Sequence, residues 1–191
     1  MRSADKRRAG SADLGGYDFQ GYAGLAGDTI TVTGSASYSA VWSARDDTPY
    51  RVEHYIQRSD GEGYILPSGD GSIESFTGTT GSLITISDKV RASEGLTYRY
   101  ATVGGQQVTA PVIDADGKTI VKLYYDRSSC TLTFNSMGGS AASPITKRFG
   151  AKLTLPTPNK TGYTFDGWYT DETCTTHFAG ATMPAESLTL Y

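Results

Sequence analysis

Apolar residues along this chain recur at every second position in short runs, and nowhere do they keep a helical period over a useful length. Cys130-Thr131-Leu132-Thr133-Phe134 alternates cleanly, Gly138-Gly139 follows, and a second run covers residues 145–149 before Gly150 breaks it. Period-two alternation bounded by turn residues predicts half-buried strands, so this stretch reads as a hairpin. Leu153 and Leu155 then lead into Pro156 and Pro158, an exit loop. Residues 171–178 are predicted to form a helical turn with Cys174 and Phe178 four apart on one face, and residues 187–191 a closing strand. Upstream, residues 50–57, 96–100 and 119–126 read as strands, with a short helix predicted near residues 87–92.

Two windows share one spacing: Gly16-Tyr17-Asp18-Phe19-Gln20-Gly21-Tyr22 and Gly162-Tyr163-Thr164-Phe165-Asp166-Gly167-Trp168. In an extended chain, alternate residues share a side, so the tyrosine and phenylalanine of each window are expected to face one core. The second glycine permits a corner, and the aromatic after it arrives as an anchor. Neither window holds a nucleophile, a metal-ligand pair or a phosphate cradle. A recurring unit of this kind signals an array of modules. Two polar joints, Arg45-Asp46-Asp47-Thr48-Pro49 and Asp126-Arg127-Ser128-Ser129, divide the chain into a tail (1–14) and segments at 15–47, 48–128 and 129–191. Joints this short leave little freedom, which predicts a semi-rigid rod.

The third segment resembles the internalin-type B repeat, or Listeria/Bacteroides repeat, of bacterial surface proteins. Leu132-Thr133-Phe134, Gly138-Gly139, Phe149-Gly150, Pro156, the window from Gly162 through Tyr169, and Leu188-Thr189-Leu190-Tyr191 carry the resemblance. Such repeats end in alanine, any residue, tryptophan. That ending stands at Ala40-Val41-Trp42, so the first segment resembles the second half of a repeat, and the third is expected to belong to a longer protein. Half a module cannot bury its own apolar face, so the first segment is expected to pack on the middle one, pair with a neighbour, or stay poorly ordered. The middle segment resembles mucin-binding-protein-type modules. Both resemblances imply an α+β, β-rich fold of tandem β-grasp (ubiquitin-like) modules with short helices, in which the first and last strands lie side by side in parallel.

Composition narrows the function. A net charge of −3 over 191 residues gives no electrostatic case for nucleic acid, and Lys6-Arg7-Arg8 reads as a solvated tail. No apolar run approaches the roughly 20 residues a bilayer requires, so no membrane insertion of this segment is expected. The opening residues are polar and unlike an export signal, so the address and anchor are expected elsewhere in the parent. His54 and His177 lack acidic or thiol partners at ligand spacing, and Asp114-Ala115-Asp116-Gly117 lacks the distant glutamate of a calcium loop. No catalytic, cofactor or metal residues are therefore assigned, and no cofactor is expected. Cys130 shares parity with Leu132 and Phe134, and Cys174 a face with Phe178, which brings both thiols toward one core. A disulfide there would add roughly 3 to 4 kcal/mol on the chain-entropy model, and two buried, unlinked thiols are the alternative. Two functions compete: a non-catalytic stalk or adhesin on the bacterial surface, and a module binding carbohydrate or mucin glycans through Tyr98, Tyr100 and Tyr125. Expected partners are host or bacterial surface glycans or proteins, or neighbouring repeats.

Overall fold

The computed structural model describes residues 14–25, 34–35, 37–91 and 93–191. The tail cluster Lys6-Arg7-Arg8 lies outside them. The described strands are β1 (Tyr17–Tyr22), β2 (Ala40–Ala44), β3 (Thr48–Gln57), β4 (Tyr64–Ile65), β5 (Ile73–Gly78), β6 (Leu96–Val103), β7 (Gln106–Val108), β8 (Thr119–Arg127), β9 (Ser129–Phe134), β10 (Ile145–Arg148) and β11 (Leu188–Leu190). They form a two-stranded sheet β1-β2, a six-stranded sheet of order β4-β3-β8-β6-β7 with β5 also on β3, and a three-stranded sheet of order β10-β9-β11. The chain divides into two compact units, one gathering Met1–Glu53, Ile73–Lys89 and Ala101–Lys122, the other His54–Ser72, Val90–Tyr100 and Leu123–Tyr191.

In the first unit β1 and β2 pair antiparallel, with Phe19 opposite Trp42 and a shift of register between Phe19 and Gly21. Phe19 packs edge-on against Trp42 at 5.3 Å and against Tyr22 at 5.2 Å. The base of this hairpin is tied down: Gly16 O accepts from Arg45 N at 2.9 Å and from Thr80 Oγ1 at 2.8 Å. A Cβ at Gly16 would lie 2.6 Å from Ala115 O, so the close approach requires glycine. Around β3 and β5, Tyr50 and Phe76 stack at 5.4 Å with the Lys89 ammonium 3.6 Å from the Phe76 ring centre. Tyr50, Val52, Ile84, Ala101, Ile113 and Val121 are buried.

In the second unit the third segment builds a small core. Antiparallel β10 sets Ile145 opposite Leu132, and parallel β11 sets Leu188 opposite Leu132 and Leu190 opposite Phe134. Alternation sends Cys130, Leu132 and Leu190 inward to meet Leu153, Trp168 and Met183. Leu132, Met183 and Leu190 are fully buried, each burial contributing roughly 1.5 to 3 kcal/mol. The parallel pairing of first and last strands implied by the resemblance is present here, and β3 and β8 of the middle segment are likewise neighbours.

The expected helices are not formed. The architecture is β-rich, and the helix predicted near residues 87–92 is a single 3-10 turn at Ile86–Asp88, with residue 92 outside the described set. Three residues without a side-chain cap cannot propagate a helix. At residues 171–178 the Asp171 carboxylate accepts from Thr173 Oγ1, Thr175 N and Thr176 N, the last at 2.6 Å. That side chain takes the donors a helix would use, and Cys174 turns to φ +52°, outside helical space.

Candidate functional site

The second copy of the aromatic window folds differently from its sequence expectation. Residues 163–168 belong to no strand, and Tyr163 is 72% exposed and Phe165 36% exposed. Trp168 alone enters the core, where its ring lies 4.7 Å from Phe134 and 5.4 Å from Phe165. Its Nε1 donates to Pro156 O at 2.8 Å, which satisfies the one polar atom of a buried indole. Gly167 has φ +156°, and a Cβ there would meet His177 Nε2 at 2.4 Å, so the corner is closed by the imidazole. Outside the core the window opens onto a groove of about 370 Å³ lined by Met137, Pro158, Lys160, Tyr163, Phe165 and Tyr191, among others. Lys160 Nζ donates to Met137 O at 2.8 Å and stands 4.6 Å from the Tyr163 ring centre. Tyr169 donates to Asp166 Oδ2 at 2.6 Å, and that bond holds its phenol above the usual range.

The two cysteines are not brought together. Cys130 is a buried free thiol donating to Ala185 O at 3.2 Å, whereas Cys174 is an exposed free thiol whose nearest partner is Glu172 O at 3.9 Å. The left-handed turn at Cys174 takes its side chain away from the core that the helical expectation placed it in.

Of the three tyrosines assigned to glycan contact, Tyr98 and Tyr125 meet and Tyr100 packs elsewhere. Tyr125 is buried, 3% exposed. It receives Tyr98 edge-on at 6.1 Å, and burial raises the Tyr98 phenol above its ordinary range. Tyr100 stacks on Tyr124 at 4.6 Å, Tyr124 on Tyr55 at 5.2 Å, and Tyr64 meets Tyr124 edge-on at 5.0 Å. Tyr64 donates to the Asp126 carboxylate, which also pairs with Arg99 at 3.3 Å; burial, then this bond, raises the Tyr64 phenol. Tyr55, Tyr64 and Tyr124 were not singled out from sequence. The signal was available, because Tyr55 and Tyr124 lie on strands expected to be neighbours.

On the middle segment a hollow of about 410 Å³ is lined by His54, Leu96, Tyr125, Arg91 and the loop bearing Ser68 and Asp70. His54 Nδ1 and the Tyr125 hydroxyl lie 2.9 Å apart in its buried floor, and the same hydroxyl accepts from Arg91 N at 3.2 Å. A Cβ on Gly71 would lie 2.4 Å from Arg91 Nη1, so the guanidinium rests against that loop's backbone. Among the described residues no group of three or more His, Cys, Asp or Glu is placed to hold a metal ion. Residues 114–117 close as a turn in which Gly117 N donates to Asp114 O at 3.1 Å.

The passage from the middle segment to the third is locked. Ser128 alone separates β8 from β9. Arg127 Nε donates to Gln57 O at 2.6 Å and its Nη1 to Phe149 O at 2.9 Å, so one guanidinium joins the two segments. Ser128 N donates to Gly95 O at 2.9 Å and Phe149 N to Ser128 O at 2.8 Å. The Phe149 ring sits where a Cβ of Gly95 would be, 2.4 Å from its Cγ.

Comparison with known families falls on the segment just described. Residues 131–191 match the model of the Listeria-Bacteroides repeat domain. Repeat domains of this family are typical of bacterial surface proteins and are typically non-catalytic. A protein of Evansella cellulosilytica named "Putative Gly-rich membrane protein" is 44% identical over 43 residues, covering 22% of this chain. The aligned stretch spans 5% of that protein's own length. Among the described residues no helix is long and apolar enough to cross a membrane.

Proposed function

We propose that this chain is a non-catalytic part of a bacterial cell-surface or secreted protein, in which successive β-rich modules act as a stalk for adhesion. The observation that carries this reading is the locked joint at residues 127–129. A joint with one intervening residue, one bridging guanidinium and one interdigitated ring keeps two modules in fixed register, which a spacer needs and a solution enzyme does not. The aromatic window supports it as well, because its glycines and Trp168 are spent on packing and turning. Antibody against this chain should label intact cells of the source bacterium, and labelling that needs lysis would overturn the reading.

A second reading, glycan or mucin binding by the middle segment, draws support from the hollow over His54 and Tyr125. Its rim carries Ser68, Asp70 and Arg91, groups that exchange hydrogen bonds with sugar hydroxyls, above an apolar wall that includes Leu96. A glycan array separates the two readings. The stalk predicts no selective signal. A selective signal that Arg91→Ala abolishes would favour binding.

A further inference from the structure

Phenol rings from four strands meet on the middle segment. Tyr55 of β3, Tyr124 of β8 and Tyr100 of β6 lie face to face in that order, with centroids 5.2 and 4.6 Å apart and planes inclined by 26° and 22°. Tyr64 of β4 braces the closer pair edge-on, 5.0 Å from Tyr124 and 6.2 Å from Tyr100. Its hydroxyl is held in turn, donating to Asp126 Oδ1 and accepting from Arg99 Nη1 at 3.0 Å, and the Arg99 guanidinium stands 5.8 Å from the Tyr100 ring centre. All four rings are half-buried, so they are packed in place and still reached by a small solute. Cross-strand ring contacts of this kind stabilise a sheet. A phenol, unlike a phenylalanine ring, also gives up an electron and a proton together, and two phenoxyl radicals in contact combine.

We infer that Tyr100 and Tyr124 form an oxidative cross-linking site, at which a one-electron oxidant couples the two rings into a biphenol that ties β6 to β8. Each phenol gives one electron to the oxidant and its proton to water. The two phenoxyl radicals then join at ring carbons ortho to oxygen, forming one carbon–carbon bond. The hydrogens displaced from those carbons move to the phenoxyl oxygens, so the pair loses two hydrogen atoms in all and both hydroxyls are restored. The sheet supplies the geometry: β6 and β8 are neighbours, and their rings are the closest tyrosine pair of the stack. Holding the two rings in contact replaces a chance encounter between radicals by a step within one molecule. Tyr55 and Tyr64 flank Tyr124 and limit the directions in which its ring can turn.

The test exposes the full chain, dilute and folded, to photoexcited ruthenium tris-bipyridyl with persulfate, which takes the two electrons and leaves as two sulfates. Monomeric protein should lose two hydrogen atoms in intact mass and gain the blue fluorescence of a biphenol. Trypsin separates the two rings into peptides 100–118 and 123–127, which should now be recovered as one species. Tyr100→Phe and Tyr124→Phe should each abolish that species, with circular dichroism showing that either variant is folded. Tyr163→Phe should leave it unchanged, although Tyr163 is 72% exposed and is the ring an oxidant meets first if exposure alone decides. Unfolding in urea before illumination should also remove it, because the contact is made by the sheet. An unchanged monomer mass, coupling between chains through Tyr163, or a joined species that persists in Tyr124→Phe would overturn the inference.

Discussion

Gly95 offers the sharpest test of the joint. Its φ is +69°, and an added Cβ would lie 2.4 Å from Phe149 Cγ and 2.5 Å from Cδ1. Gly95→Ala therefore carries two separable costs. A left-handed conformation costs a non-glycine residue about 1 kcal/mol, and forcing a methyl into an occupied site typically adds about 1 to 3 kcal/mol. Gly63 isolates the first cost, because its φ is +82° and nothing lies within 4 Å of its built Cβ. Urea unfolding followed by tryptophan fluorescence should show Gly63→Ala less stable by about 1 kcal/mol and Gly95→Ala by about 2 to 4 kcal/mol. With a urea slope of about 2 kcal/mol per molar, the Gly95→Ala midpoint falls by about 1 to 2 M. Adding Phe149→Ala to Gly95→Ala should remove the steric share, so the pair costs less than the sum of the single changes. Equal losses for Gly95→Ala and Gly63→Ala, or strict additivity with Phe149→Ala, would refute the claim that ring and glycine interlock.

Three further outcomes are expected. Arg127→Ala removes the guanidinium bonds to Gln57 O and Phe149 O and should cost about 2 to 3 kcal/mol, with 15N relaxation showing the third segment tumbling more independently; unchanged relaxation would count against a bridging role. Iodoacetamide should modify exposed Cys174 in the native protein and buried Cys130 only on unfolding, and intact mass should be the same with and without reductant. Hydrogen bonds from Thr173, then Thr175 and Thr176, hold the Asp171 carboxyl well below the usual carboxylate range. Its contribution to the 171–176 turn is therefore full above the ordinary aspartate pKa and lost only as pH falls through the lowered one. An NMR titration with a midpoint at the ordinary value would contradict this.

Much of the third segment was legible because its signals are local. Alternation from Cys130 to Phe134, the breaks at Gly138 and Gly150, and the closing run at residues 188–190 appear as β9, β10 and β11. Helices were misjudged where a side chain competed with the backbone: the spacing of Cys174 and Phe178 suggested a helical turn, but Asp171 collects donors from Thr173, Thr175 and Thr176. The exposure of Tyr163 escaped sequence reasoning for another reason. Alternation states which residues share a side but not whether a partner strand covers it, and among the described residues a strand runs along the first window alone. For the same reason the tyrosine stack stayed hidden, since register across β3, β8 and β6 decides which rings meet. Arg127 and Gly95 were invisible as a pair because they are joined through Phe149, distant from both in sequence.

The parallel course of β9 and β11 bears on mechanics. A pull entering at Ser129 and leaving at Leu190 draws the two strands past each other along their length, so the rungs between them share the load at once instead of opening one by one. A segment tethered this way resists tension like a lap joint, whereas the antiparallel ribbon of β1 and β2, tugged at Tyr17 and Ala44, would peel like a zip.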